Sequence, residues 1–136
     1  MTPLPALLLT HICRWPTPVQ QRLLSMRGAF HDVAAAAGIG PLEESLKWGQ
    51  PAWRPSRART GSTLRLNWSE TTASMLLAYV DCKTDLATQM QIRFPEIPSD
   101  GRRELRFSLD RDDDDAIWQL AHLTFTYHAA KRASAR

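Results

Sequence analysis

Glu43-Glu44-Ser45-Leu46-Lys47-Trp48-Gly49-Gln50-Pro51-Ala52-Trp53 is the stretch on which the reading of this chain turns. Leu42 and Leu46 stand four apart, as on one face of a short helix. Gly49 is the residue type that closes a helix with a left-handed backbone, and Pro51 cannot continue one. Pro51 also disfavours a helical backbone at Gln50, so Ala52 and Trp53 are expected to begin a strand. The stretch reads as a switch from helical to extended chain.

Upstream, Thr17 followed by Pro18 is a helix start. At 100° per residue Val19, Leu23, Met26, Phe30, Val33, Ala34 and Ala37 fall on one stripe, which predicts an amphipathic helix running to Ala37 and ended by Gly38 and Gly40. Residues 1–16, with three prolines and the cluster Leu7, Leu8, Leu9 and Ile12, read as an irregular or briefly helical arm ahead of a single domain over 17–136.

Downstream, Arg54–Gly61 has three arginines and no apolar anchor, so it reads as an exposed, mobile connection. Leu64, Leu66 and Trp68 alternate with polar residues as in a half-buried strand. A turn at Ser69–Thr72 follows. Ser74–Cys82, nearly continuously apolar, reads as a strand in the middle of the sheet, covered at least in part on both faces. Leu86, Met90 and Phe94 mark a short helix, and Leu105, Phe107 and Leu109 a further half-buried strand. Asp110–Asp115 introduces a last helix, predicted from Asp113 to about Lys131. The expected fold class is α+β, an antiparallel sheet of about four to five strands with N-terminal and C-terminal helices packed on it.

A chain of 136 residues with 43% apolar and 23% charged residues suits one globular domain with an ordinary core. The net charge of +3 is too small to imply nucleic acid by itself, although 14 of the 17 basic residues are Arg. The Leu4–Leu9 run is too short to span a bilayer and no basic residue precedes it, so a cytoplasmic protein without a membrane partner is expected. Cys13 and Cys82 match no zinc or redox spacing and read as free thiols, small and buried in the core.

Candidate chemistry is sparse. No nucleophile elbow, phosphate-binding glycine loop or dinucleotide fingerprint is present, and Glu43 and Glu44 diverge on a helix, so no catalytic residue is assigned. On the last helix His128 falls between Ile117 and Ala121 on an apolar face, as a core histidine or as a group lining a cavity. With Tyr127 it joins Trp48, Gln50 and Trp53 as a candidate ligand pocket of apolar walls and few polar anchors. Arg54, Arg57, Arg59, Arg65 and Arg106 form a candidate anion-binding patch beside one sheet surface, with Trp53 adjacent. The patch suits a phosphorylated ligand or, less readily, single-stranded nucleic acid. His11 and Cys13, approached by Cys82 and His128, would make a soft metal site. Asp112, Asp113, Asp114 and Asp115 would bind a hard cation weakly, or simply cap a helix.

The segments EESLKWGQPAW (43–53), AYVDCKT (78–84), RFPEI (93–97), RRELRFSL (102–109) and LTFTYHAAKR (123–132) resemble the YdhG-like family of bacterial domains. The resemblance covers 17–131, and Trp48-Gly49-Gln50-Pro51 is its strongest motif. It implies an α+β domain with helices on one face of an antiparallel sheet. Because some members are described as frataxin-like iron chaperones, it also implies iron handling as an alternative. No iron-ligand set maps onto this chain apart from the Asp110–Asp115 run. The sequence thus points to a small ligand-binding or accessory domain rather than an enzyme, with no identified cofactor. Its partner is a small molecule or a protein, and its oligomeric state is open, a homodimer included.

Overall fold

The computed structural model describes residues 2–135. Helix α1 (Ala6–Ile12) is followed by the long α2 (Thr17–Ala37). Five strands then follow: β1 (Leu42–Lys47), β2 (Gln50–Pro55), β3 (Leu64–Asn67), β4 (Met75–Tyr79) and β5 (Glu104–Ser108), with α3 (Leu86–Arg93) between the last two. The chain closes with α4 (Asp114–Phe125) and α5 (Tyr127–Ser134). The strands form an antiparallel meander in the order β1-β2-β3-β4-β5, so β3, rather than β4, is the middle strand. The expected α+β class is what the chain adopts.

The opening stretch is not a helix leading into a strand but both arms of a β-hairpin. Lys47 pairs with Gln50, so Trp48 and Gly49 form a two-residue turn, with φ of 55° and 69°. Positive φ at both central positions defines the tight turn whose twist matches that of the flanking strands. Leu42 and Leu46 stand on one face of a strand as readily as on one face of a helix, because four residues is also a multiple of the strand period. The left-handed glycine is real, but it serves a turn rather than a helix end. Pro51 and Pro55 are tolerated because β3 pairs with β2 only at Ala52 and Trp53, leaving both prolines with β1 alone as neighbour.

Helix α2 matches its sequence reading at both ends. Gly38 takes a left-handed conformation (φ 65°) and donates to the Ala34 and Ala35 carbonyls, the C-terminal geometry that favours glycine. Its buried stripe is the predicted one with the addition of Arg27, while Ala37 lies at the margin. Helices α2 and α4 pack side by side over one face of the sheet, against β4 and β3 respectively. Phe30 stands edge-on to Trp53 at 5.3 Å and to Phe125 at 5.8 Å, joining helix to sheet and helix to helix. Each such buried aromatic contributes roughly 1.5–3 kcal/mol by removing apolar area from water. Leu64 and Leu66, Leu76 and Ala78, and Leu105 and Phe107 complete this core. The N-terminal arm is partly helical, with Leu8 and Ile12 buried and Leu7 and Leu9 exposed.

The terminal helix departs from its predicted continuity: it breaks at Thr126 (φ −109°) into α4 and α5. The cause is tertiary. The loop after β2 docks on the break, where Ser62 N–H donates to the Thr124 carbonyl at 2.8 Å and Ala129 N–H donates to the Thr60 carbonyl at 3.0 Å. Gly61 permits this approach, because a Cβ there would lie 2.1 Å from the Phe125 carbonyl oxygen. Thr60 and Ser62 are accordingly buried, so this part of the Arg54–Gly61 segment is anchored rather than free.

Candidate functional site

The helices cover one face of the sheet and leave the other open. On that open face Gln50 and Ala52 of β2, Arg65 of β3, Tyr79 and the buried Leu77 of β4, and Glu104 and Arg106 of β5 stand in register. A groove of about 690 Å³ crosses this face from the β1–β2 turn, at one end of the strands, towards the opposite end, where β3 and β5 begin and β4 ends. Its walls include Lys47, Trp48 and Gln50 from the hairpin, Arg65 and Tyr79 from the central strands, and Cys82, Lys83 and Arg103 from the segments flanking β4 and β5.

Arg65 sits at its centre. One guanidinium nitrogen donates to Gln50 Oε1 at 2.8 Å, and the guanidinium carbon lies 5.4 Å from the centre of the Tyr79 ring. This stacking presents the fork to the groove in one orientation. Burial and, after it, the charge of Arg103 push the Arg65 pKa below its ordinary value. Burial and the Glu104 carboxylate push the Tyr79 hydroxyl up; that hydroxyl donates to Glu104 Oε1 at 3.3 Å. Arg103 is held through its backbone. Asp100 Oδ1 accepts the N–H groups of Arg102, Arg103 and Glu104 at 2.9, 2.9 and 3.0 Å, and Val80 N–H donates to the Arg103 carbonyl at 2.8 Å. Lys83 is placed by a turn in which its N–H donates to Asp81 Oδ1 at 2.9 Å.

The groove is lined by four cations, Lys47, Arg65, Lys83 and Arg103, and one carboxylate, Asp81. Among the described residues none of the four lies within 4.0 Å of a carboxylate oxygen, whereas Arg27, Arg54, Arg106 and Arg111 are all ion-paired. Four cations without a carboxylate partner are therefore gathered in one concavity.

Behind the hairpin, on the helical side, lies a second polar cluster. Glu44 alternates inward with Leu42 and Leu46 and meets Arg27 of α2 through two hydrogen bonds, at 2.6 and 2.9 Å. Trp53 Nε1 donates to the same carboxylate at 2.8 Å. His31 Nε2 lies 3.3 Å from it without hydrogen-bond geometry. Arg27 also donates to the Thr2 carbonyl at 2.9 Å and the Pro3 carbonyl at 3.2 Å, tying down the N-terminal arm. Burial raises the Glu44 pKa, but the Arg27, Trp53 and His31 contacts outweigh it and hold the group at about 2. This cluster locks β1 and β2 to α2 and so fixes the hairpin that carries Trp48.

The sequence-predicted residues separate. Trp48 and Gln50 line the groove, with Trp48 88% exposed. Trp53 is 0% exposed on the opposite face of the sheet and is a core residue. Tyr127 and His128 lie on α5, away from the groove; the break at Thr126 changes the helical phase, so Tyr127 is buried and His128 is exposed rather than on an apolar face. The five do not form one pocket. The arginine patch also divides. Arg65 is in the groove, Arg54 pairs with Glu43 at 3.3 Å, and Arg106 pairs with Glu104 at 3.1 Å. Arg57 lies beside Gly40, and the Arg59 carbonyl accepts from Arg132.

Cys13 and Cys82 are free but exposed, not core residues. No group of three or more His, Cys, Asp or Glu is placed to share a metal ion among the described residues. Asp112 accepts the Asp114 N–H at 3.0 Å and Asp113 pairs with Arg111 at 3.3 Å, its other oxygen buried without a partner. Asp114 and Asp115 occupy the first turn of α4, where carboxylates suit the helix dipole. One unpartnered oxygen falls well short of the six to eight ligands of a calcium site.

Arg27, Lys47, Lys83 and Arg103 escaped sequence reasoning. Lys47 has a signal in hindsight, since it flanks the turn beside Gln50; Lys83 and Arg103 are joined only by the meander. No family model, curated protein or solved structure matches the chain.

Proposed function

We propose that this protein is a small ligand-binding domain whose open sheet face holds an anionic ligand, and that binding rather than catalysis is its role. The observation that carries this reading is the set of four unpaired cations around one groove. Four cations brought together with one carboxylate, Asp81, repel one another, Arg103 adding to the burial that chiefly lowers the Arg65 pKa, and an anion in the groove relieves that repulsion. Arg65, stacked on Tyr79 and steadied by Gln50, supplies the planar fork that suits phosphate or carboxylate oxygens. Gln50, Ser62 and Thr63 add neutral hydrogen-bonding groups.

Membership of the YdhG-like family belongs to the same proposal. It is supported by the Trp-Gly-Gln-Pro run and by the layering of helices on one face of an antiparallel sheet. Iron handling finds no support in the placement of the Asp112–Asp115 carboxylates.

Calorimetric titration with inorganic pyrophosphate tests the reading. Binding should weaken steeply with salt and fall about tenfold or more in Arg65→Gln, the loss expected for one charge-assisted hydrogen bond. Affinity unaltered by Arg65→Gln and by Arg103→Gln would refute it.

A further inference from the structure

We infer that the groove's ligand is a compact phosphorylated molecule with a planar ring, of the mononucleotide class, and that Trp48 is its stacking platform; this rests on the anion-binding reading above. Trp48 has φ 55° at the first central position of its turn, a position that Asn, Asp and Gly favour and bulky residues avoid. Its side chain is 88% exposed and lines the groove rather than the core. A large aromatic that takes a strained backbone and buries almost nothing gains no folding stability from its position, so its use lies in what comes to it. The other groove aromatic, Tyr79, already has Arg65 over its ring. Trp48 therefore offers the free ring face, and Lys47 and Gln50 flank the turn that carries it.

The distribution of charge separates a compact ligand from a polymer. Binding a nucleic-acid strand calls for a basic track with successive aromatic platforms. Here Lys47, Arg65, Lys83 and Arg103 surround a single groove. Beside it on the open face Arg106 is neutralised by Glu104, and Leu77, Asn67 and Met75 carry no charge. Four cations against one carboxylate leave a net charge that a diphosphate matches.

Titrations with adenosine diphosphate, pyrophosphate, adenosine and a 12-nucleotide oligothymidylate test this on the wild type, Trp48→Gly and Arg65→Gln. Glycine suits the turn, so the first variant keeps the hairpin. The diphosphate nucleotide should bind about tenfold more tightly than pyrophosphate, the worth of one base stacked on an aromatic ring. Trp48→Gly should abolish that advantage, bringing the affinities of nucleotide and pyrophosphate together, and Arg65→Gln should weaken both. Equal affinity for nucleotide and pyrophosphate, or an advantage that survives Trp48→Gly, overturns the stacking role and leaves anion binding standing. Oligonucleotide binding stronger than that of the nucleotide overturns the compact ligand. Absence of binding by every phosphate overturns this inference and the anion-binding reading together.

Discussion

Replacing Glu44 by Gln should be among the most damaging single changes available in this protein, although no ligand touches it. The carboxylate accepts from Arg27 twice and from Trp53 once, and Arg27 is 3% exposed. Removing one partner of a buried ion pair leaves the other charged and unpaired, at a cost of about 3–5 kcal/mol. A second route gives a compatible size. Glu44 drops from an ordinary 4.5 to about 2 on folding, which at about 1.4 kcal/mol per pKa unit comes to about 3 kcal/mol, and to about 2 kcal/mol after solvent screening. The sign follows from the direction of the shift. A depressed carboxylate stabilises the folded state in full above pH 4.5, and that contribution is lost as pH falls towards 2. Urea denaturation should show Glu44→Gln destabilised by about 3 kcal/mol at pH 7, with the difference from the wild type closing towards pH 2. The double change Arg27→Met with Glu44→Leu should recover most of the loss, since a well-packed apolar pair avoids the desolvation of two charges. A Glu44→Gln effect below about 1 kcal/mol, or one that stays constant between pH 7 and pH 3, would refute the buried-pair account.

Gly61→Ala should destabilise by about 3 kcal/mol, because the new Cβ meets the Phe125 backbone rather than a yielding side chain; thermal unfolding reads the loss. Trp48→Gly should raise stability by about 1 kcal/mol by relieving the left-handed backbone, seen as a higher denaturation midpoint with an unchanged slope. Peptide-level mass spectrometry should show that pyrophosphate slows alkylation of Cys82, which lines the groove, and leaves Cys13, which does not, unaffected.

The fold was legible where local chemistry and tertiary structure agree. Helix α2 announces itself through its stripe, its proline start and its glycine end, and β3 and β5 through strict alternation. The hairpin was misread because Leu42 and Leu46 satisfy both periods and because no tryptophan is expected in a left-handed turn. The break at Thr126 has no local signal, since backbone hydrogen bonds with Thr60 and Ser62, more than sixty positions earlier, create it. The site was legible only in part. Trp48, Gln50 and Arg65 were found by residue type, but Lys83 and Arg103 reach the same groove only through the order of strands. Trp53 reads as a pocket wall because, with Trp48, it is one of two tryptophans flanking Pro51; its inward register makes it core instead.

The most direct test of the central claim is a backbone amide chemical-shift map recorded while inorganic pyrophosphate is added. Saturable shifts confined to the β1–β2 turn, Arg65, the Tyr79–Lys83 segment and Arg103 are the predicted result. Saturable shifts centred elsewhere, for example on α5 around Tyr127 and Lys131, or no saturable shift at all, would contradict it.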